Sequence, residues 1–299
     1  MKTRISFRPT FHRPSGFIGT ILIPCLSQVC SLGSTFEDDL DGYADGACSA
    51  LELWLTKLED YLTNHPPSEV LSRAVDRGLT LACATYQGGL LLSQGAARHE
   101  TWNQFQSRLD LLAQLAVPVL VITPDFLGPF TQTDLERALV SLRQAGEMAA
   151  QRRVRLALEF QSRGTFLTNL ETAAGFIQSV NHPAVGLCLD TFHFSTGPSK
   201  TEDLEWVTTD NLFHVQISDV ADRPRELATD ADRILPGEGD FPLRPLLNHL
   251  SKIGYGGCVS LELLNPQFWQ IPPQSLGEIG MTSLRIALGQ ASGGTATRR

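Results

Sequence analysis

The sequence predicts an α/β fold, a single closed (β/α)8 barrel, and three observations carry that expectation. Eight apolar runs of strand length recur from residue 17 onward, amphipathic stretches separate them, and the later runs end on acidic or histidine side chains. In such a barrel the carboxyl ends of the strands meet on one face, so side chains far apart in sequence are gathered there.

The runs follow in order. FIGTILIP (17–24) is read as strand one, and SALELWL (49–55), LTLACATY (79–86) and VPVLVITP (117–124) complete the first half. VRLALEF (154–160), VGLCLDTF (185–192), LFHVQIS (212–218) and GCVSLELL (257–264) make the second. Between them, RHETWNQFQSRLDLLAQLA and TQTDLERALVSLRQAGEMAAQRR carry Leu and Ala at three- and four-residue spacings, the pattern of a helix with one buried face. The latter opens with Thr131 and Thr133 as N-cap candidates and places Asp134 and Glu136 in its first turn, where carboxylates meet the positive end of the helix dipole. A doubly wound open sheet would show the same alternation, but its first loop is normally glycine-rich, and CLSQVCSLGS holds a single glycine. The barrel is expected to span residues 16–290, with disordered tails at 1–15 and 291–299.

Composition narrows the function. With 42% hydrophobic and 19% charged residues the chain can bury a large core, which excludes disorder as its main state. The net charge of −8, with basic residues dispersed, argues against a nucleic-acid partner. No apolar stretch reaches the roughly 20 residues that span a bilayer, so no membrane role is expected. The six cysteines lack CxxC spacing and read as buried, reduced thiols of a cytoplasmic protein. Lys2, Arg4, Arg8 and Arg13 precede any acid, as in a targeting segment, but the barrel pattern needs FIGTILIPCL as a strand. Residues 266–273, rich in Pro with a Trp, suit a lid or the contact of a homo-oligomer.

Function is concentrated in the second half. LALEFQ brings Glu159 to a strand end, LCLDTFHF brings Asp190 and His193, LFHVQISD brings His214, and VSLELLNP brings Glu262. A lone acid after a strand is most often a loop residue or a helix N-terminal charge. Two Glu, one Asp and one His in this order instead form a hard, mostly oxygen donor set for one divalent metal ion, suited to Mn²⁺, Mg²⁺ or Co²⁺ and able to hold Zn²⁺.

The order Glu159, Asp190-x-x-His193, His214, Glu262 resembles that of the xylose-isomerase-like barrel superfamily of sugar-phosphate isomerases and epimerases. The resemblance runs over most of the chain and is most specific in LCLDTFHF, FHVQISD, DADRILPGEGDFPL and SLELLNPQFW. These segments look closest to the ketose 3-epimerase, 2-keto-inositol isomerase and 3-dehydroshikimate dehydratase branches. The resemblance implies one metal held by Glu159, Asp190, His214 and Glu262, with His193 and Arg233 contacting a small polyhydroxy-ketone substrate.

The chemistry of the residues agrees. A cation bound by both oxygens of an α-hydroxy ketone stabilises the enediolate formed when the adjacent carbon loses its proton. Glu159 and Glu262, from well-separated strands, suit the acid and base on its two sides. Glu238 beside Arg233 in the PGEG loop, Gln161, Tyr86 and Glu52 are further candidates to line the substrate pocket, with Trp54 and Lys57 adding an apolar wall and a cation. Glu52 reads equally as half of a salt bridge inside the barrel, and Arg233 as a surface ion-pair residue. Asp219 is expected to orient His214 or the loop that follows. His65, His182 and His249 read as structural or solvated.

Two other functions are weighed against the isomerase or epimerase. A dehydratase would use the same metal and base to expel a β-hydroxyl. An endonuclease IV-like repair enzyme needs further histidines early in the barrel, where this chain has Thr85-Tyr86-Gln87 and Thr123-Pro124-Asp125.

Overall fold

Eight strands form, seven of them within or nearly within the expected runs: β1 Ile23–Ser27, β2 Ala50–Trp54, β3 Thr80–Gln87, β4 Val119–Ile122, β5 Arg155–Glu159, β6 Val185–Asp190, β7 Leu212–Ile217 and β8 Cys258–Leu261. The computed structural model describes residues 21–126 and 128–291. The strands form a closed parallel barrel in sequence order, β1 pairing with both β2 and β8. The first strand lies later than FIGTILIP implies, because IPCLS makes the register with β8. Residues 17–20 of that run, the expected tail at 1–15 and positions 292–299 lie outside the described residues.

The helices are α1 Phe36–Asp45, α2 Leu55–Tyr61, α3 Pro67–Asp76, α4 Gly95–Gln114, α5 Gln132–Gln151, α6 Leu170–Val180, α7 Thr191–Thr196, α8 Leu243–Ile253 and α9 Pro273–Ala287. Of the two N-cap candidates on α5, Thr131 is the cap: its Oγ1 accepts from Asp134 N, and Asp134 Oδ2 accepts from Thr131 N at 3.0 Å. Thr133 lies inside the helix. No described helix is long and apolar enough to cross a membrane.

The period-two alternation of the strands builds two cores. Leu120, Ile122, Leu156, Leu158 and Leu187 join the large cluster under the helices, whereas Val119, Val121, Ala157 and Cys188 pack with Cys83 and Phe213 in a second cluster. Two residues further along, β5 replaces Ala157 with Glu159, and β6 replaces Cys188 with Asp190. This switch from apolar to polar toward the carboxyl ends places the site at one mouth of the barrel. All six cysteines are free, and five of them are buried.

Candidate active site

Five side chains form a continuous arc at that mouth. His193 sits just beyond β6 on α7, and the Ser162 N–H donates to its Nδ1 at 3.4 Å. Its Nε2 is thereby turned to Glu159 Oε1 and Asp190 Oδ2, each 3.7 Å away. Arg233 continues the arc, donating to Asp190 Oδ1 and Oδ2 at 3.2 and 2.8 Å and to Glu262 Oε2 at 3.0 Å. Its guanidinium stacks on Phe192 at 4.3 Å and is only 1% exposed, which overturns the expectation of a surface ion pair.

Burial and mutual repulsion set the protonation of these groups. Glu159 is pushed well above the usual carboxylate range by burial first, then by the charges of Glu262 and Asp190. Glu262 is raised by burial as well, although Arg233 works in the opposite sense. His193 is lowered by burial, which outweighs the attraction of Asp190. For Arg233 the acids prevail over burial and hold the guanidinium charged. The site is an excess of buried acid that one internal cation only partly offsets.

Such a site fits a divalent ion. Glu159, Asp190 and His193 each offer a ligand atom, all within 4.8 Å of one another, and carboxylates are hard donors. Above them opens a cavity of about 440 Å³ with two unlike walls: Glu159, Gln161, Arg163, His193, Asp230, Arg233 and Glu262 on one side, and Val29, Trp54, Tyr86, Pro124, Phe126 and Leu264 on the other. Gln161 donates to Glu159 Oε2 at 2.8 Å, and Tyr86 reaches the rim with 52% of its surface exposed.

Four expected contributors lie elsewhere. His214 is not in the acid group: its Nε2 meets Glu52 Oε2 at 2.9 Å in the closed interior. Burial opposes charge on that imidazole, but Cys83 and Glu52 prevail and raise it well above its ordinary range. Glu52, fully buried in the same pair, does not line the cavity. Glu238 faces a different cleft with Glu278 and Ile279, because Asp219 Oδ2 accepts from Gly237 N and pins the PGEG turn outward. Lys57 brings no cation to the pocket, being buried against Asp39 at 2.7 Å. Asp219 orients the loop, accepting also from the N–H groups of Val220 and Phe241.

One residue escaped the sequence reading. Gln216, inward-facing at the top of β7, donates through Nε2 to Glu262 Oε1 at 2.9 Å and to Glu52 Oε1 at 2.8 Å. The signal was there, since Gln216 shares the alternation of His214 in FHVQIS, but an amide does not announce a metal site as a histidine does.

Fold and site together define a class: a (β/α)8 barrel enzyme with a buried carboxylate and histidine centre at the carboxyl ends of its strands. Residues 45–285 match the model of the xylose isomerase-like TIM barrel family, and the chain belongs to that family. It is 30% identical over 255 residues to the inosose isomerase of Halalkalibacterium halodurans, covering 83% of this chain and 89% of that one. To the 3-dehydroshikimate dehydratase of Pseudomonas putida it is 23% identical over 263 residues, 85% of this chain but 40% of that enzyme. The crystal structure of the IolI protein with a bound zinc atom superposes with a TM-score of 0.85 at 22% identity, over 90% of this chain and 99% of that one. The chain is thus an enzyme of an isomerase, epimerase and dehydratase family.

Proposed function

We propose that this protein is a divalent-metal-dependent isomerase or epimerase of a keto-inositol or ketose, with Glu159 and Glu262 as the acid and base. The observation that carries the reading is the arc itself: both glutamates line one cavity, and Asp190, His193 and Arg233 link them. Glu159, Asp190 and Glu262 would hold the ion, which when bound supplies Lewis-acid polarisation of the substrate carbonyl. Beside it, His193 Nε2 donates to a substrate oxygen. The glutamates move the proton at the carbon next to the carbonyl, one removing it and the other returning it to the neighbouring position or the opposite face. Trp54, Phe126 and Leu264 keep water from the enediolate, while the polar wall accommodates hydroxyl groups. Similarity to inosose isomerase over most of both chains supports a keto-cyclitol ring as the substrate.

A second reading, a dehydratase acting on 3-dehydroshikimate, is supported by Arg163 in the cavity wall. Its Nη2 donates to Ala228 O at 2.6 Å, and its guanidinium gives the cavity wall a positive charge of the kind that pairs with a substrate carboxylate. Proton NMR in D₂O with Mg²⁺-loaded protein separates the two. Deuterium entering beside the carbonyl of keto-inositol or a ketose, with a new isomer appearing, is the expected result. Aromatic signals growing from 3-dehydroshikimate would establish the dehydratase, and no exchange with any of these substrates would refute both.

A further inference from the structure

Near its carboxyl end β7 presents two inward side chains, His214 and Gln216, and the register shows which one stands level with the acids. Because barrel strands tilt, a ring of constant height climbs along the sequence from one strand to the next relative to the hydrogen-bonded ladder. The partner of Glu159 on β6 is Cys188, yet the β6 acid is Asp190, two residues further on. The partner of Gln216 on β8 is Ser260, yet the β8 acid is Glu262, again two further on. Between these steps Asp190 is paired with Gln216, and Cys188 with His214. Gln216 therefore continues the ring, and His214 falls one inward layer below it.

The contacts agree with the register. The Gln216 amide nitrogen is shared between Glu262 and Glu52, its oxygen accepts from Cys188 Sγ at 3.0 Å, and the second oxygen of Glu52 is taken by His214. Each member of this string is buried, so the carboxamide is fixed from below and aimed at Glu262.

We propose that Gln216 is the β7 member of the metal ring and sets its ion preference, positioning Glu262 through its amide N–H. The inference rests on the metal-dependent reading above. With an amide rather than an imidazole at this level, the ion meets the carboxylates of Glu159, Asp190 and Glu262, and His193, whose ring accepts from Ser162 N at Nδ1, keeps its Nε2 as a donor to substrate. Such an oxygen set favours Mg²⁺ and Mn²⁺ relative to Zn²⁺ compared with a set holding an imidazole on β7. Among the described residues His214 makes no hydrogen bond to Glu159, Asp190 or Glu262; its task is to neutralise Glu52, which keeps the Gln216 amide from turning.

The test is competition between Mn²⁺ and Zn²⁺ on the full chain, with free Mn²⁺ read by electron paramagnetic resonance. Gln216→His is expected to raise Zn²⁺ affinity relative to Mn²⁺ by at least about tenfold. Gln216→Met, which keeps the volume but frees Glu262, is expected to weaken Mn²⁺ binding about tenfold, and it stands in should the histidine variant not fold. His214→Gln, which can still donate to Glu52, is expected to leave the ratio within about twofold. Loss of Mn²⁺ binding in His214→Gln, with both Gln216 variants matching wild type, would overturn the inference alone. A wild-type chain that binds neither ion would overturn the metal reading with it.

Discussion

At the scale of single residues, the two glutamates and the pair beneath them make opposite predictions. Glu159→Gln and Glu262→Gln are each expected to lower kcat by about 10²- to 10⁴-fold, the share usual for a general acid or base. Neither should lower Tm, because both carboxyls are held above their ordinary range by burial and the amide removes a charge the interior disfavours. Single-turnover deuterium exchange and calorimetry on the same samples check the two halves, and a variant with full exchange activity would sink the two-glutamate mechanism. His214→Ala should instead destabilise by about 3–5 kcal/mol, since it strips the partner from the buried Glu52 carboxylate. Urea unfolding measures this, and Glu52→Gln combined with His214→Ala should recover much of the loss. Glu159, Asp190 and Glu262 were legible in the sequence because each closes an apolar run. The sequence points to His214 and passes over Gln216, because the layer each occupies depends on the register shift between Leu187 and Cys188, where β7 carries one extra residue. Lys57 was misplaced because its partner, Asp39, approaches only in the folded chain, whereas Glu52 makes the salt bridge inside the barrel that was its second reading, with His214 as the partner.

At the scale of elements, the eight strands could be read from periodicity, but the close packing of the last helix on the first could not. Helix α9 returns to α1 across glycines: a Cβ on Gly46 would lie 2.5 Å from the Gly277 carbonyl carbon and 2.6 Å from Glu278 N, and one on Gly42 2.5 Å from Gln274 N. These neighbours are backbone and cannot rotate aside, so the helices would have to part. Gly46→Ala is expected to cost about 1–3 kcal/mol. Gly175, inside α6, is the control with the opposite sign: a Cβ there would meet no neighbour within 4 Å, so Gly175→Ala should stabilise by up to about 1 kcal/mol through helix propensity alone. Equal Tm shifts for the two variants would show that α1 and α9 do not pack this closely. Behind the same face, Lys57 and Asp39 are enclosed by Gln28, Ser31 and Ser34, and Gln28 Oε1 accepts from Trp54 N at 3.1 Å. This network seats Trp54, and so a buried ion pair remote from the acids fixes part of the apolar wall of the cavity.

At the scale of the whole molecule, the acid cluster couples stability to pH and to the ion. Glu159 and Glu262 have folded pKa values above the unfolded value of about 4.3. The folded state therefore holds their protons more tightly, and their contribution is fully present below the unfolded pKa and is lost as pH rises through the folded one. The raised His214 acts in the same direction from about pH 6.5 upward, whereas the lowered His193 costs stability as pH falls below that value. With carboxylates in the majority, the ion-free protein should lose stability from weakly acid toward neutral pH. A bound divalent ion reverses this trend, since it requires Glu159 and Glu262 unprotonated and cancels the repulsion that raised them. The gain in Tm on adding Mn²⁺ should therefore grow from about pH 5 to about pH 8, and ion uptake near neutral pH should release protons. Scanning calorimetry with Mn²⁺ or EDTA across that range, and titration calorimetry in buffers of different ionisation enthalpy, measure the two quantities. A Tm gain independent of pH, with no proton release, would place the ion away from the buried glutamates and remove the link between their protonation and catalysis.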